Sequence, residues 1–351
     1  MVQPEDISDK NPEGRYLRQV LFAPIGEEGQ ERLAKSKVLL IGCGALGSVL
    51  AEMMVRAGVG ELRIVDRDFL ELSNLQRQML YDEEDLAGNL PKAEAAGRKL
   101  RNINHEVNVT PIVADANHES IEYFLESVDL ILDGTDNLQT RFLINDAAVK
   151  NSLPWIYSAA LAARGMVLVI LPGGKPCLRC LIETPPELGQ METCETAGII
   201  GPVVGMVGSF AGGEALKLLT GNVKAVNRNF VSFDLWENKL RQTMMEMAGE
   251  ECPCCGERNF EFLEGKGGLS TISLCGRNSV QVRPRQYGEK IDLAGLGKRL
   301  EGIGPVTQNE FMVRFKVNEM EITIFPDGRA IIKGINNIDE ARSLYARYVG
   351  H

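Results

Sequence analysis

One junction constrains this chain more than any other. The apolar run VLLIG (38–42) passes directly into GCGALG (42–47), and helical periodicity then covers 45–57. A short, continuous apolar run is the pattern of a strand buried on both faces of a parallel sheet. A G-x-G-x-x-G turn between such a strand and a helix is a phosphate-binding arrangement. Gly42 gives the tight turn, Gly44 lets the backbone approach an anion, and Gly47 lets helix pack on strand. The helix N-terminus adds N–H groups and a positive dipole end. The alternation then continues. ELRIVD (61–66) is a second strand ending in an acid. Helix-like 91–103, strand-like 107–112, helix-like 117–126, strand-like DLILDGTD (129–136) and helix-like 138–151 follow. Strands near 154–158, 163–171 and 229–241 extend the sheet. The expected fold is α/β, a doubly wound, mostly parallel Rossmann-like sheet.

A helical segment over 15–36, carrying Arg15 and Arg18, precedes the sheet. Thr196–Gly213 is uncharged and touches the length of a membrane span. Its six glycines, Pro202 and the flanking Glu195 and Glu214 instead indicate a buried helix starting near Pro202. Gly201, Gly205, Gly208 and Gly212 would let a neighbour approach its backbone closely. The run EGKGG (264–268) reads as a linker. The expected division is 1–260, a linker at 261–269, and a small α+β domain at 270–351. There SVQVRP, FMVRFKV, MEITIFP and RAIIKGI alternate as strands, with helix-like stretches near 292–302 and 337–348.

A net charge of −10 argues against nucleic acid or an anionic membrane as the main partner. The polar, acidic N-terminus has no secretory pattern, so a cytoplasmic location is expected. In that setting eight cysteines favour metal or redox chemistry over disulfides. Trp155 and Trp236 lie in apolar stretches and are expected in the core. His105, His118 and His351 form no ligand pattern.

Asp66 ends the strand after the glycine turn, where a carboxylate can bond ribose hydroxyls. That much fits a dinucleotide or ATP equally. DRDFLELSNLQRQ (66–78) then brings Asp68, Asn74, Arg77 and Gln78 into one short stretch, followed by Lys92 and by Asp136 in DGTDN (133–137). An NAD-dependent oxidoreductase leaves these cations and the further acid idle. Adenylation uses them: a carboxylate attacks the α-phosphate and pyrophosphate leaves with its charge. Arg and Lys can stabilise that charge, and an Asp can hold Mg²⁺ on the phosphate oxygens. Gly134, in the DGTDN stretch, has no evident consequence.

RYLRQVLF (15–22), GCGALG, AGVGELRIVDRD (57–68), SNLQRQ (73–78), PKAEAA (91–96), LDGTDN (132–137) and TAGIIGPV (196–203) together resemble the MoeB/ThiF/HesA adenylyltransferases, bacterial relatives of ubiquitin-activating enzymes. The resemblance covers about residues 13–256. It implies that Asp66 bonds the ATP ribose, that Arg77 and Lys92 contact phosphates, and that Asp136 binds Mg²⁺. Asn74 and Gln78 would complete the pocket. Arg18 would reach the ATP of another subunit, which implies a homodimer. Ala45 stands where many members have a third glycine. SLCGRNSVQVRP (273–284) and ARSLYARYVG (341–350) further resemble the extension of long ThiF-type proteins.

Cys177-x-x-Cys180 and Cys252-x-x-Cys255 are two metal-type knuckles. Four thiolates fill tetrahedral Zn²⁺ and leave no open catalytic position. A structural zinc is expected, with a redox dithiol as the alternative. Cys254 could compete with a neighbour, but spacing prefers Cys252 and Cys255. Cys43 reads as a packing residue and Cys275 as structural. Cys194, in GQMETCETAG, has two readings: covalent or sulfur-handling thiolate chemistry, or a passive loop residue. Glu192 and Glu195 beside it oppose thiolate formation.

The expected activity is ATP-dependent adenylation of the C-terminal Gly-Gly carboxylate of a ubiquitin-like sulfur-carrier protein. The carrier then receives sulfur from a donor, a cysteine desulfurase or a rhodanese-type protein, for thiamin thiazole or molybdopterin synthesis. The alternatives are a tRNA-carboxyl-activating dehydratase of the same superfamily, an NAD-dependent oxidoreductase and a non-catalytic scaffold.

Overall fold

The computed structural model describes residues 12–173, 175–183, 192–194, 196–245, 251–265, 271–274, 279–282 and 291–350. Cys275, His351 and residues 266–269 of the expected linker lie outside the described residues. The chain forms two compact units. One takes Met1–Pro186 and Ala197–Gly267, the other Glu187–Thr196 and Gly268–His351.

In the first unit α1 (Pro12–Val20) and α2 (Gly26–Leu33) lead into β1 (Lys37–Ile41), α3 (Ala45–Ala57) and β2 (Glu61–Val65). The single helical segment expected over 15–36 is therefore two helices. Gly26, at φ +58°, adopts a left-handed backbone at the start of the second. Next come α4 (Glu83–Ala87), α5 (Lys92–Ile103), β3 (Asn108–Ile112), α6 (Ile121–Phe124), β4 (Leu130–Asp133) and α7 (Leu138–Asn151). α6 is shorter than the helix expected over 117–126. Asn117 Oδ1 accepts from the Glu119 and Ser120 N–H groups at 2.9 and 3.1 Å, closing a local turn instead. The unit finishes with β5 (Trp155–Leu161), β6 (Arg164–Ile170), α8 (Leu178–Leu181), α9 (Gly201–Leu219), β7 (Phe230–Asp234) and β8 (Lys239–Thr243).

The eight-stranded sheet has the order β3-β2-β1-β4-β5-β6-β7-β8. Pairing is parallel from β3 through β5 and antiparallel from β5 through β8. Side chains alternate along β1. Val38 and Leu40 join a core with α3, α5 and α9, while Leu39 and Ile41 join one with α6 and α7. α9 begins at Gly201 with Pro202 in its first turn. A Cβ on Gly208 would stand 2.5 Å from Val49 Cγ1, and one on Gly212 2.8 Å from Met53 Sδ. Glycine thus lets α9 press against α3. No helix among the described residues is long and apolar enough to cross a membrane.

Trp155 is fully buried, but Trp236 is 76% exposed. It sits in the β7–β8 hairpin, where Asp234 Oδ1 accepts from the Trp236 and Glu237 N–H groups at 3.1 and 3.0 Å. The turn fixes the backbone there and turns the indole away from the core.

The second unit holds β9 (Thr271–Leu274), β10 (Ser279–Val282), α10 (Leu293–Leu300), β11 (Val306–Gln308), β12 (Val313–Val317), β13 (Met320–Ile324), β14 (Ala330–Lys333) and α11 (Ile338–Tyr348). Its six strands are ordered β11-β12-β13-β14-β10-β9, each pair antiparallel. Val280, Val282, Phe315, Ile322, Ile324 and Ile332 form its core with Leu296 and Leu300 of α10 and Ala341 of α11.

Candidate functional site

β1 lies between β2 and β4, so the chain turns to opposite sides of the sheet after leaving β1 and β3. Such a switch point opens a crevice at the carboxyl ends of the strands. The 42–47 turn follows β1, Asp66 follows β2, and the 133–137 loop follows β4.

Three glycines seat these loops on one another. Gly42 has φ +84° and hydrogen-bonds Val65 O from its N–H at 2.8 Å. A Cβ on Gly47 would lie 2.0 Å from Gly42 O. One on Gly134 would lie 2.2 Å from the same oxygen and 2.8 Å from Gly47 Cα. The contacts are backbone, so nothing flexible can give way. Gly134 therefore has a definite role that its sequence context did not disclose: it permits the β4 loop to pack on the β1 turn. A Cβ on Gly44 would meet only Gln78 Nε2, at 3.7 Å.

Asp66 is buried. Its Oδ2 accepts from Cys43 N–H at 2.6 Å and its Oδ1 from Asp68 N–H at 2.7 Å. Burial pushes its carboxyl up, and the Lys92 ammonium pulls it back down. Lys92, 4% exposed, opens α5 and lies 3.3 Å from Asp68 Oδ2. The Tyr81 hydroxyl stands 2.7 Å from Cys43 O and 3.1 Å from Lys92 O, joining the glycine turn to α5. Burial pushes the Cys43 thiol up to about 12, in keeping with a packing residue. Asn74 is buried and bonds back to Glu71 N–H at 3.1 Å, which shapes the SNLQRQ segment. Gln78 is also buried, and its Oε1 has no hydrogen-bond partner. Arg77 is partly exposed and donates to Ser73 O at 2.8 Å. Asp136 is exposed, one residue ahead of Asn137, which caps α7 through Thr140 N–H at 2.8 Å.

Beneath Asp136 lies a network that motif reading missed. Asp133 is fully buried. Its Oδ1 accepts from Thr135 N–H and Oγ1 at 2.9 and 2.7 Å, and its Oδ2 from Arg141 Nε at 3.0 Å. Arg141 also donates to Thr135 O at 2.6 Å and Ser158 O at 2.9 Å. Burial raises the Asp133 carboxyl and the Arg141 guanidinium opposes that rise. An Arg eight residues after an Asp carries little sequence signal; only the loop's curvature brings them together.

These residues fit a nucleotide. Gly44 leaves room where a longer side chain would intrude, the turn passes into the N-terminus of α3, and Gln78 holds a buried acceptor without a partner. Arg18 is exposed on α1, and the Cys194 stretch groups with the second unit.

The second candidate is a thiolate cage. The sulfurs of Cys177, Cys180, Cys252 and Cys255 all lie within 4.8 Å of one another. Measured separations are 3.8 Å for Cys177–Cys252, 3.8 Å for Cys177–Cys180, 3.6 Å for Cys180–Cys252 and 3.5 Å for Cys180–Cys255. A tetrahedron with metal–sulfur bonds of about 2.3 Å has edges of about 3.8 Å. The donor set fits Zn²⁺.

The fold and the crevice define an α/β nucleotide-binding protein. The ThiF family model matches residues 16–254, and the chain belongs to that family. It is 44% identical over 340 residues to the sulfur carrier protein ThiS adenylyltransferase of Bacillus subtilis, covering 96% of this chain and 99% of that one. It is 37% identical to a sulfur carrier protein adenylyltransferase of Thermus thermophilus, over 69% of this chain and 90% of the relative. Among solved structures, Escherichia coli MccB with ATP aligns at a TM-score of 0.60 and 21% identity, over 70% of this chain and 75% of MccB, which supports the fold.

Proposed function

We propose that this chain is an enzyme that uses ATP to adenylate the C-terminal Gly-Gly carboxylate of a ubiquitin-like sulfur-carrier protein, releasing pyrophosphate. The observation that carries this reading is the seating of the β4 loop on the β1 turn through Gly134, Gly42 and Gly47. The exposed acid Asp136 follows two residues after Gly134, which packs on that turn, and Tyr81 joins the turn to Lys92, which pairs with Asp68.

The carrier's carboxylate is already ionised at neutral pH, so the reaction needs no general base. Rate comes from positioning the two reactants and from stabilising the charge that moves onto pyrophosphate. Asp66 is assigned to the ribose, Asn74 and Gln78 to the nucleotide pocket, and Arg77 and Lys92 to the phosphates. Asp136 would hold Mg²⁺, which when bound neutralises charge on the phosphate oxygens. Arg18 is assigned to the ATP of a second copy, making the working form a homodimer. The exposed Leu17, Leu21 and Phe22 beside it on and after α1 give such a copy an apolar surface. Trp236, Leu240 and Met244, exposed on the β7–β8 hairpin, give the carrier one.

The four-cysteine cage is assigned to structural Zn²⁺. The adenylated carrier next takes up sulfur, from a cysteine desulfurase or rhodanese-type donor, in the cytoplasm. Thiamin thiazole synthesis is the favoured pathway, because the relative named for ThiS matches across 96% of the chain. The domain division at 1–260, 261–269 and 270–351 is kept as part of this proposal.

Carrier-dependent ATP–pyrophosphate exchange tests this. Labelled pyrophosphate should enter ATP with the ThiS-type carrier of the source genome, and the D136A variant should lower that exchange by about 10²–10³-fold. Exchange with no Gly-Gly carrier, from a folded protein, overturns the reading.

A further inference from the structure

The two cysteine knuckles are distant in sequence, yet one side chain bonds to both. Asn145, on α7, is fully buried. Its Oδ1 accepts from Leu178 N–H at 2.9 Å, and its Nδ2 donates to Cys254 Sγ at 3.1 Å. Leu178 follows the ligand Cys177, and Cys254 precedes the ligand Cys255. The orientation of the amide is fixed, because a backbone N–H can only donate and so must face Oδ1. The next residue extends the grip: Asp146 Oδ2 accepts from Phe262 N–H at 2.9 Å, just beyond the second knuckle.

We propose that Asn145 is the positioning residue that joins the two knuckles, so that the four-sulfur cage is assembled before metal enters and retains metal because of that joint. The proposal rests on the reading of the cage as a zinc site. Four thiolates repel one another, and nothing in a two-residue knuckle spacing obliges one pair to face the other. Metal leaves such a cage when one pair swings away. An amide that ties a backbone N–H of one knuckle to a thiol of the other opposes that swing. The same amide bonds Cys254, whose side chain also contacts the ligand Cys177. Partners that orient metal ligands typically change affinity by about 10–100-fold when removed.

The test begins with metal analysis of the purified protein. About one zinc per chain supports the cage reading, and none overturns that reading, and this proposal with it. Zinc release to a chromogenic chelator is then timed for the wild type, N145A and N151A. Asn151 lies on the same helix but bonds only locally, to Ala147 O at 2.9 Å. Unfolding midpoints are measured in parallel, so that release is compared well below unfolding. N145A is expected to release zinc about 10–100-fold faster than wild type, and N151A at the wild-type rate. Release from N145A within about twofold of wild type overturns the proposal while leaving the zinc site standing. A second arm uses the wild type alone and decides the matter if N145A does not fold. After chelation, the Leu178 amide should stay protected from hydrogen exchange in the stripped protein. Exchange as fast as an open amide would mean that metal, not Asn145, holds the joint.

Discussion

At the nucleotide crevice, the closest contacts are between backbone atoms. Gly42, Gly47 and Gly134 approach within distances that no side chain allows. At the thiolate cage, the contacts are between side chains brought from three separate segments, and peptide groups serve only as anchors. The two regions therefore fail differently. The crevice is intolerant of added volume and indifferent to metal as far as its shape goes. The cage tolerates small changes of volume but depends on each donor atom. A site built from backbone is encoded by what is absent from the sequence, one built from side chains by what is present.

The largest expected effect removes chemistry from the crevice without touching its shape. D136A should lower carrier-dependent exchange by about 10²–10³-fold, the usual scale for a lost charge-stabilising group, with the melting temperature unchanged. A parallel loss of stability would mean that Asp136 is structural and would break the comparison. C252A attacks the cage. It should cost about 3 kcal/mol or more of stability, seen as a fall of about 6–12 °C in Tm together with loss of bound zinc. G134A should cost about 1–3 kcal/mol through overpacking and weaken ATP binding as well, read by ATP-dependent protection in a melting series. If G134A melts like the wild type, the loops are not seated as tightly as the backbone distances state. W236A removes an exposed indole. It should leave Tm alone and raise the carrier concentration for half-maximal exchange by about fivefold, the scale of a 1 kcal/mol contact.

The smallest effect is electrostatic. Asp82 caps α4, accepting from Glu84 and Asp85 N–H groups at 3.0 and 3.2 Å, and pairs with Lys99. The Lys99 ammonium beside it holds its carboxyl below the usual range. A lowered folded pKa means stability that is present above the unfolded value of about 4 and lost as pH falls through the folded one. The gap in urea midpoint between wild type and D82N should thus be present at neutral pH and close in acid.

Much of this was legible from local pattern. Continuous apolar runs gave β1 and β4 because strands buried on both faces have no polar face to show. The glycine turn was legible because its spacing is itself the geometry, and Pro202 with its glycines announced α9. The paired CxxC spacing singled out four cysteines, and the structure gathers the sulfurs of those four within 4.8 Å of one another. Other features were not legible. Trp236 looks like core by composition, and only the hairpin's hydrogen bonds turn it outward. Gly134 looked inert, because the atom it must avoid, Gly42 O, belongs to another loop. Asp133 and Arg141 form a buried pair only because the loop after β4 curls back on the start of α7.

The sequence by itself determined most of the elements, the glycine turn and the paired cysteine knuckles, since each depends on residues a few positions apart. The tertiary structure alone decided which loops share the switch point, where the parallel sheet becomes antiparallel, and which buried amide joins the knuckles. Those are contacts between segments far apart along the chain. Their geometry follows from how the sheet orders its strands, and no local periodicity carries that order.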